Sequence, residues 1–325
     1  MKHTLEPGRG LAYHQLHRGG RTGAMRALLG VFTLLVLTLV VAQLVLEGLF
    51  ALGYAVAGSD VSAALRRLVD TTHLTPAALA FLNLSLAAAI PVAMLVTWAV
   101  HGLRPAWLAS VRPRIRWRWF ALCLGIAVIA LIATLIVSGI LPAQGPDDTK
   151  VGGTVNPWSS TMRDYLLVIL FLTPLQAAGE EYAFRGYLTQ AFGGIFRARW
   201  AAVVIPAFLF ALAHGGQDVP VFFDRFAFGL VAGVLVIATG GLEAGIAMHV
   251  LNNFVAFGLA LVYGNISTTL NASSGSWWAI PVTLTQSLVF LGLVMLVARR
   301  RGIATRTGPA GPEEAPDFVR PGTSV

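Results

Sequence analysis

Two adjacent glutamates and an arginine, Glu180, Glu181 and Arg185, stand in the stretch TPLQAAGEEYAFRGYL (173–188), directly after the apolar run 165–172. Charged side chains at membrane depth are costly and normally face a protein interior or a water-filled cavity. Glu181 and Arg185 are four residues apart, so on a helix they are neighbours and can pair. Glu180 is turned about 100° from Glu181, which leaves its carboxylate for other work. Two further apolar stretches repeat the four-residue spacing. FALAH holds Phe210 and His214, and HVLNN holds His249 and Asn253.

This set of residue types can activate water. A glutamate held away from bulk solvent can take a proton from a nucleophilic water. A histidine can orient that water or protonate a leaving amine, and a histidine with an asparagine amide can donate to a developing oxyanion. Those are the parts of an amide hydrolase. Glu180, His214 and His249 could equally hold zinc, since two histidines and a carboxylate form a known catalytic zinc shell. The sequence has no H-E-x-x-H helix, so no metal ligand is assigned.

The elements that must position these residues are membrane helices. The chain has 325 residues, 56% hydrophobic and only 12% charged, where a soluble domain is about a quarter charged. A bilayer core of ~30 Å asks for ~20 mostly apolar residues per helix. Eight segments come near that length: 27–54, 77–100, 119–141, 164–179, 200–214, 221–239, 242–262 and 277–298. The fourth and fifth are short. The expected fold is all-α, a polytopic integral membrane bundle of about eight transmembrane helices. It divides into a basic cytoplasmic tail (1–26), a single transmembrane domain (27–300) with a motif core at about 165–262, and a disordered C-terminal tail (301–325). The first apolar run is much longer than the ~7–15 residues of a signal-peptide core and reads as a retained span.

The net charge of +8, from 23 basic and 15 acidic residues, is concentrated in arginine clusters beside apolar runs. Such clusters fix topology and touch anionic lipid, and no soluble basic segment is large enough to bind nucleic acid. With eight spans they place both termini in the cytoplasm of a multi-pass cell-membrane protein. The loops holding GPDDTK and GNISTTLNASSGS then lie outside, and the pair Arg66 and Arg67 is discordant. Glu243, near a span end, reads as snorkelling to the interface, and the histidines other than His214 and His249 fall in tails or at edges. A single cysteine, Cys123, excludes an intrachain disulfide.

EEYAFRG (180–186), FALAH (210–214) and HVLNN (249–253), in this order on separate apolar segments, resemble the three motifs of the CPBP family. These are the CAAX prenyl endopeptidases and bacteriocin-processing proteins, also called Abi proteins. The resemblance implies a membrane endopeptidase with its site inside the bilayer. It implies Glu180 as general base and His214 as a holder of the water. His249 and Asn253 would stabilise the oxyanion, while Glu181, Arg185 and Phe210 support them. Family members have been described both as metallopeptidases, with zinc as the candidate metal, and as metal-independent glutamate peptidases. Eukaryotic members cut the last three residues from prenylated proteins. A chain of bacterial composition points instead to membrane-bound peptides or proteins in maturation, immunity or degradation. Two other readings fit the same residues: a proton- or cation-coupled transporter, and a non-catalytic bacteriocin-immunity protein.

Overall fold

The computed structural model describes residues 4–142, 154–196 and 198–308. Among them the chain is helical, with no strand beyond isolated bridges. A short 3₁₀ helix, Tyr13–Gly19, precedes α1 (Ala24–Val36), which runs through the π-helical turn Leu37–Val41 into α2 (Ala42–Val56). α3 (Val61–Leu68) leads to α4 (Pro76–Ala87) and α5 (Ala89–Val96), and α6 (Trp117–Ile140) follows. The motif region comprises α7 (Ser160–Phe171), α8 (Thr173–Glu181), a π-helical turn Tyr182–Leu188, α9 (Thr189–Ile195) and α10 (Ala201–Ala213). After these come α11 (Val219–Thr239), α12 (Glu243–Tyr263), α13 (Ile266–Leu270) and α14 (Ala279–Arg301).

Among the described residues, six helical runs are long and apolar enough to cross a membrane: Ala24–Val56, Pro76–His101, Trp117–Ile140, Val219–Thr239, Glu243–Tyr263 and Ala279–Arg301. α10, at 13 residues, is apolar but short, and the run carrying Glu180 is divided into α7 and α8 at Leu172. The architecture is therefore the all-α membrane bundle that composition implies, with six long spans where eight segments approach the required length. Its outward faces carry Leu28, Phe32, Leu44, Leu49 and Ile132, all exposed. Exposed apolar helix faces of this extent are what lipid covers.

Local signals set the helix ends. Asp60, Ser159 and Asp218 each accept from a backbone N–H in the first turn of α3, α7 and α11, and Thr75 does so for α4 just before Pro76. Gly240 (φ 70°) and Gly302 (φ 59°) close α11 and α14 in the left-handed conformation that glycine adopts without penalty. Gly179 does a different job. A side chain there would collide with the Leu86 carbonyl where α4 gives way to α5, so glycine lets that junction lie directly against the turn bearing the two glutamates.

One end of the bundle is closed by the described segments nearest the two ends of the chain. Thr307 N–H donates to Leu11 O, and Gly10 N–H to Thr307 O. Arg306 donates to Gly10 O at 2.8 Å, and Arg18 reaches Gly193 O and Phe196 O. The segments expected to be a basic tail and the start of a disordered tail are thus folded together as a clasp, because each satisfies the other's backbone. Residues 309–325, and the GPDDTK loop, lie outside the described residues.

The clasp also corrects the reading of the histidines. His14, His17 and His101 are all buried. His17 stacks on His101 at a centroid distance of 4.0 Å, and His101 Nε2 lies 2.8 Å from the Tyr187 hydroxyl. Burial drives the pKa of His17 well below its ordinary value and, with the nearby Arg18, Arg306 and Arg199, that of His14 down to about 4.

Glu243 does not snorkel. It is fully buried at the start of α12 and pairs with Arg116, whose Nε and Nη2 donate to its two oxygens at 2.8 and 2.7 Å. Arg116 Nη1 donates to Thr239 O and Ala304 O, and its backbone N–H to Glu243 Oε1. Burying an unpaired carboxylate costs far more than reaching the surface saves, so a glutamate with this partner stays inside.

Candidate active site

The two glutamates stand on the last turn of α8, immediately before the π-helical turn that holds Arg185. Single π-helical turns inside helices occur often at functional sites. Arg185 Nη1 donates to Glu181 Oε1 at 3.0 Å, with both side chains almost fully buried. The four-residue spacing is thus realised as a buried ion pair. Arg185 also stacks its guanidinium on Phe210, 4.1 Å from the ring centroid, which places a cation over an aromatic face away from water.

His249 comes to this pair from α12. Its Nδ1–H donates to Glu181 Oε1 at 3.0 Å, and its Nε2 lies 3.3 Å from Glu180 Oε2. The imidazole therefore bridges the two glutamates, one at each nitrogen. Glu181 accepts from both Arg185 and His249, so it fixes the ring orientation of the histidine as a carboxylate does in a hydrolytic triad. Glu180 keeps 13% side-chain exposure where Glu181 keeps none, which makes Glu180 the member of the pair that a water or a substrate can reach.

Three neighbours crowd these groups. Phe210 and Phe228 meet the His249 ring edge-on at 5.9 and 5.3 Å. Gly245 lies one turn before His249, and a methyl group there would stand 2.8 Å from Glu181 Oε2. That Glu181 oxygen and Arg185 Nη2 are buried and have no hydrogen-bond partner among the described residues.

His214 caps the C-terminus of α10 and is exposed. Its Nδ1–H donates to Phe210 O at 2.7 Å, and its ring packs 4.7 Å from Phe210. Phe210 thus touches both histidines, and His214 stands on the open side of the site. Asn253, one turn after His249, donates through Nδ2 to Gln176 Oε1 at 2.8 Å. The structure brings Glu180, Glu181, Arg185, His249 and Phe210 into direct contact, joins Asn253 to the same helix α8, and sets His214 at the rim.

Gln176, Phe228 and Gly245 were not picked out by spacing arguments. Gln176 carried a readable signal, since it is a polar residue one turn before Glu180 on the same helix face. Phe228 is one of 18 phenylalanines, and nothing local sets it apart.

A zinc site would set a strict geometric requirement on this donor set. Ligands at about 2.0–2.2 Å must converge on one point. Glu180 Oε2 and His249 Nε2 are close enough to share an ion, and the bonds from His249 Nδ1 to Glu181 and from His214 Nδ1 to Phe210 O leave both Nε2 atoms free to act as ligands. No group of three metal-binding side chains converges among the described residues. The arrangement does not fit the three-ligand shell, and no chemical step below is routed through a metal.

Comparison with known proteins covers the same part of the chain. Residues 162–255 match the family model described as type II CAAX prenyl endopeptidase Rce1-like, a stretch that contains every residue of the site. An uncharacterized protein, YyaK of Bacillus subtilis (strain 168), is 28% identical over 160 residues, 43% of this chain. The chain spans about half of that relative's length, 54%. No solved structure matches the chain. With its three motifs inside the matched region, the stretch 162–255 is similar to an Rce1-like CAAX endopeptidase domain and consistent with a CPBP family protease.

Proposed function

We propose that the protein is an intramembrane endopeptidase that hydrolyses peptide bonds of membrane-anchored or lipidated substrates with water activated by Glu180. The observation that carries this reading is the buried chain Arg185–Glu181–His249–Glu180 inside an apolar bundle. Glu180 takes a proton from water as the water oxygen bonds to the scissile carbonyl carbon. With both ring nitrogens of His249 carrying protons, one donated to Glu181, its Nε2–H and Asn253 Nδ2–H donate to the oxyanion that forms. The C–N bond then breaks, and Glu180 returns the proton to the leaving amine. His214, at the open side, orients the water.

Placement of both termini in the cytoplasm belongs to the same proposal. It is supported by the pairing of the N- and C-terminal segments at one end of the bundle. That end also carries Arg9, Arg18, Arg104, Arg118 and Arg299–Arg301, the asymmetry that sets orientation.

The test uses purified protein in proteoliposomes with a fluorogenic prenylated CAAX peptide. Cleavage is expected for the native chain, with a loss of about 10²–10⁴-fold in Glu180→Gln and a comparable loss in His249→Ala, both variants keeping native thermal unfolding. Undiminished cleavage in both would overturn the site. Proton flux abolished by Glu180→Gln, with no peptide cut, would replace the protease with a transporter.

A further inference from the structure

We infer that Gln176 is a positioning residue, fixing which face of the Asn253 carboxamide meets the reacting carbonyl. The inference rests on Asn253 as an oxyanion donor and assigns a task to a residue outside the three motifs.

An asparagine makes an ambiguous oxyanion donor. Its terminal torsion is broad and roughly two-fold, and turning it over exchanges an N–H₂ for a carbonyl oxygen. In one orientation it stabilises a developing negative charge. In the other it presents a second negative dipole and opposes the reaction. An acceptor placed against the N–H₂ side holds the first orientation. Gln176 supplies it, because its Oε1 accepts from Asn253 Nδ2 at 2.8 Å. Asn253 Oδ1 lies 3.5 Å from Asn252 Nδ2, too long to fix the group.

Placement makes the pairing exact in register. Gln176 is four residues before Glu180 on α8, and Asn253 is four after His249 on α12. The two helices therefore meet twice along one stripe: Glu180 with His249 on one turn and Gln176 with Asn253 on the next. Gln176 is 7% exposed, so water competes little for its oxygen. The second N–H of Asn253 Nδ2 remains for the oxyanion. Thr173, one turn earlier, is held by Asn83 Nδ2 at 3.0 Å, which anchors the same face of α8 to α4.

The experiment is a double-mutant cycle on the full-length protein with the prenylated CAAX peptide, using Gln176→Leu, Asn253→Ala and the double variant. Loss of an oxyanion donor costs about 10²–10³-fold in kcat, and Gln176→Leu is expected to lose about 10-fold or more of that in kcat with KM unchanged. In the Asn253→Ala background, Gln176→Leu should have no further effect on kcat. Full additivity of the two losses, or an unchanged kcat in Gln176→Leu, overturns the inference. A second readout needs no substrate: the side-chain amide NMR signals of Asn253 in micelles should move in Gln176→Leu. Unmoved signals overturn the inference whatever the kinetics. Moved signals with full activity in Asn253→Ala overturn it through its premise, the oxyanion role of Asn253, and leave the hydrogen bond standing.

Discussion

Two buried arginine–glutamate pairs engage α12, one at its first residue and one through His249, and they are built differently. Arg116 and Glu243 satisfy one another through two side-chain bonds, with the remaining guanidinium nitrogen on two backbone carbonyls. Arg185 and Glu181 share one bond, leave an oxygen and a nitrogen unpartnered among the described residues, and give the rest of the carboxylate's attention to His249. A fully satisfied buried pair locks helices together, whereas an incompletely satisfied one is a costly arrangement that persists where the unmet groups serve chemistry. The first pair joins the start of α6, the start of α12 and the clasp. The second holds the ring of one histidine.

Removing one cation from each pair separates these roles. Arg116→Met leaves Glu243 buried and alone, and should destabilise the fold by about 3–5 kcal/mol. Thermal unfolding in detergent checks this. Arg185→Met should cost less in stability yet lose most peptide cleavage. Equal destabilisation with cleavage intact would erase the distinction drawn here. Gly245→Ala is a gentler probe of the second pair: its methyl group presses on Glu181 Oε2. It should lower kcat about 10-fold, by analogy with small displacements of catalytic groups, while unfolding near the native temperature.

Acidification acts on the first pair's surroundings. The clasp holds His14 and His17 neutral, with folded-state pKa values depressed from the ordinary 6.5. A protonated histidine is then favoured in the undocked chain. Docking is strongest above about pH 6.5 and weakens as pH falls towards 4. Hydrogen exchange of residues 5–21 should therefore rise over that window, and residues around Glu181 should respond less. Equal response at both places would show the two regions to be one cooperative unit. The smallest expected effect belongs to metal removal: treatment with a strong chelator should leave cleavage unchanged, because the three candidate ligands do not converge. Loss of activity restored by zinc would reverse that.

What the sequence alone determined is local or compositional. Low charge and long apolar runs require a membrane bundle, since lipid cannot solvate an open backbone. The four-residue spacings that pair Glu181 with Arg185, and set Phe210 with His214 and His249 with Asn253 on shared helix faces, follow from helical periodicity. Tertiary structure decided everything that joins distant segments. His249 meets Glu181 across 68 positions, Asn253 meets Gln176 across 77, and Arg116 meets Glu243 across 127. No periodicity reports such partners, so Glu243 reads from sequence as an interfacial charge and His17 as part of a tail. Both become buried because a specific residue, far along the chain, offers each a partner or a stacking face. Which carboxylate keeps some exposure and which one is buried against the histidine is decided by the same packing: α12 delivers one imidazole between two glutamates that the sequence shows only as neighbours.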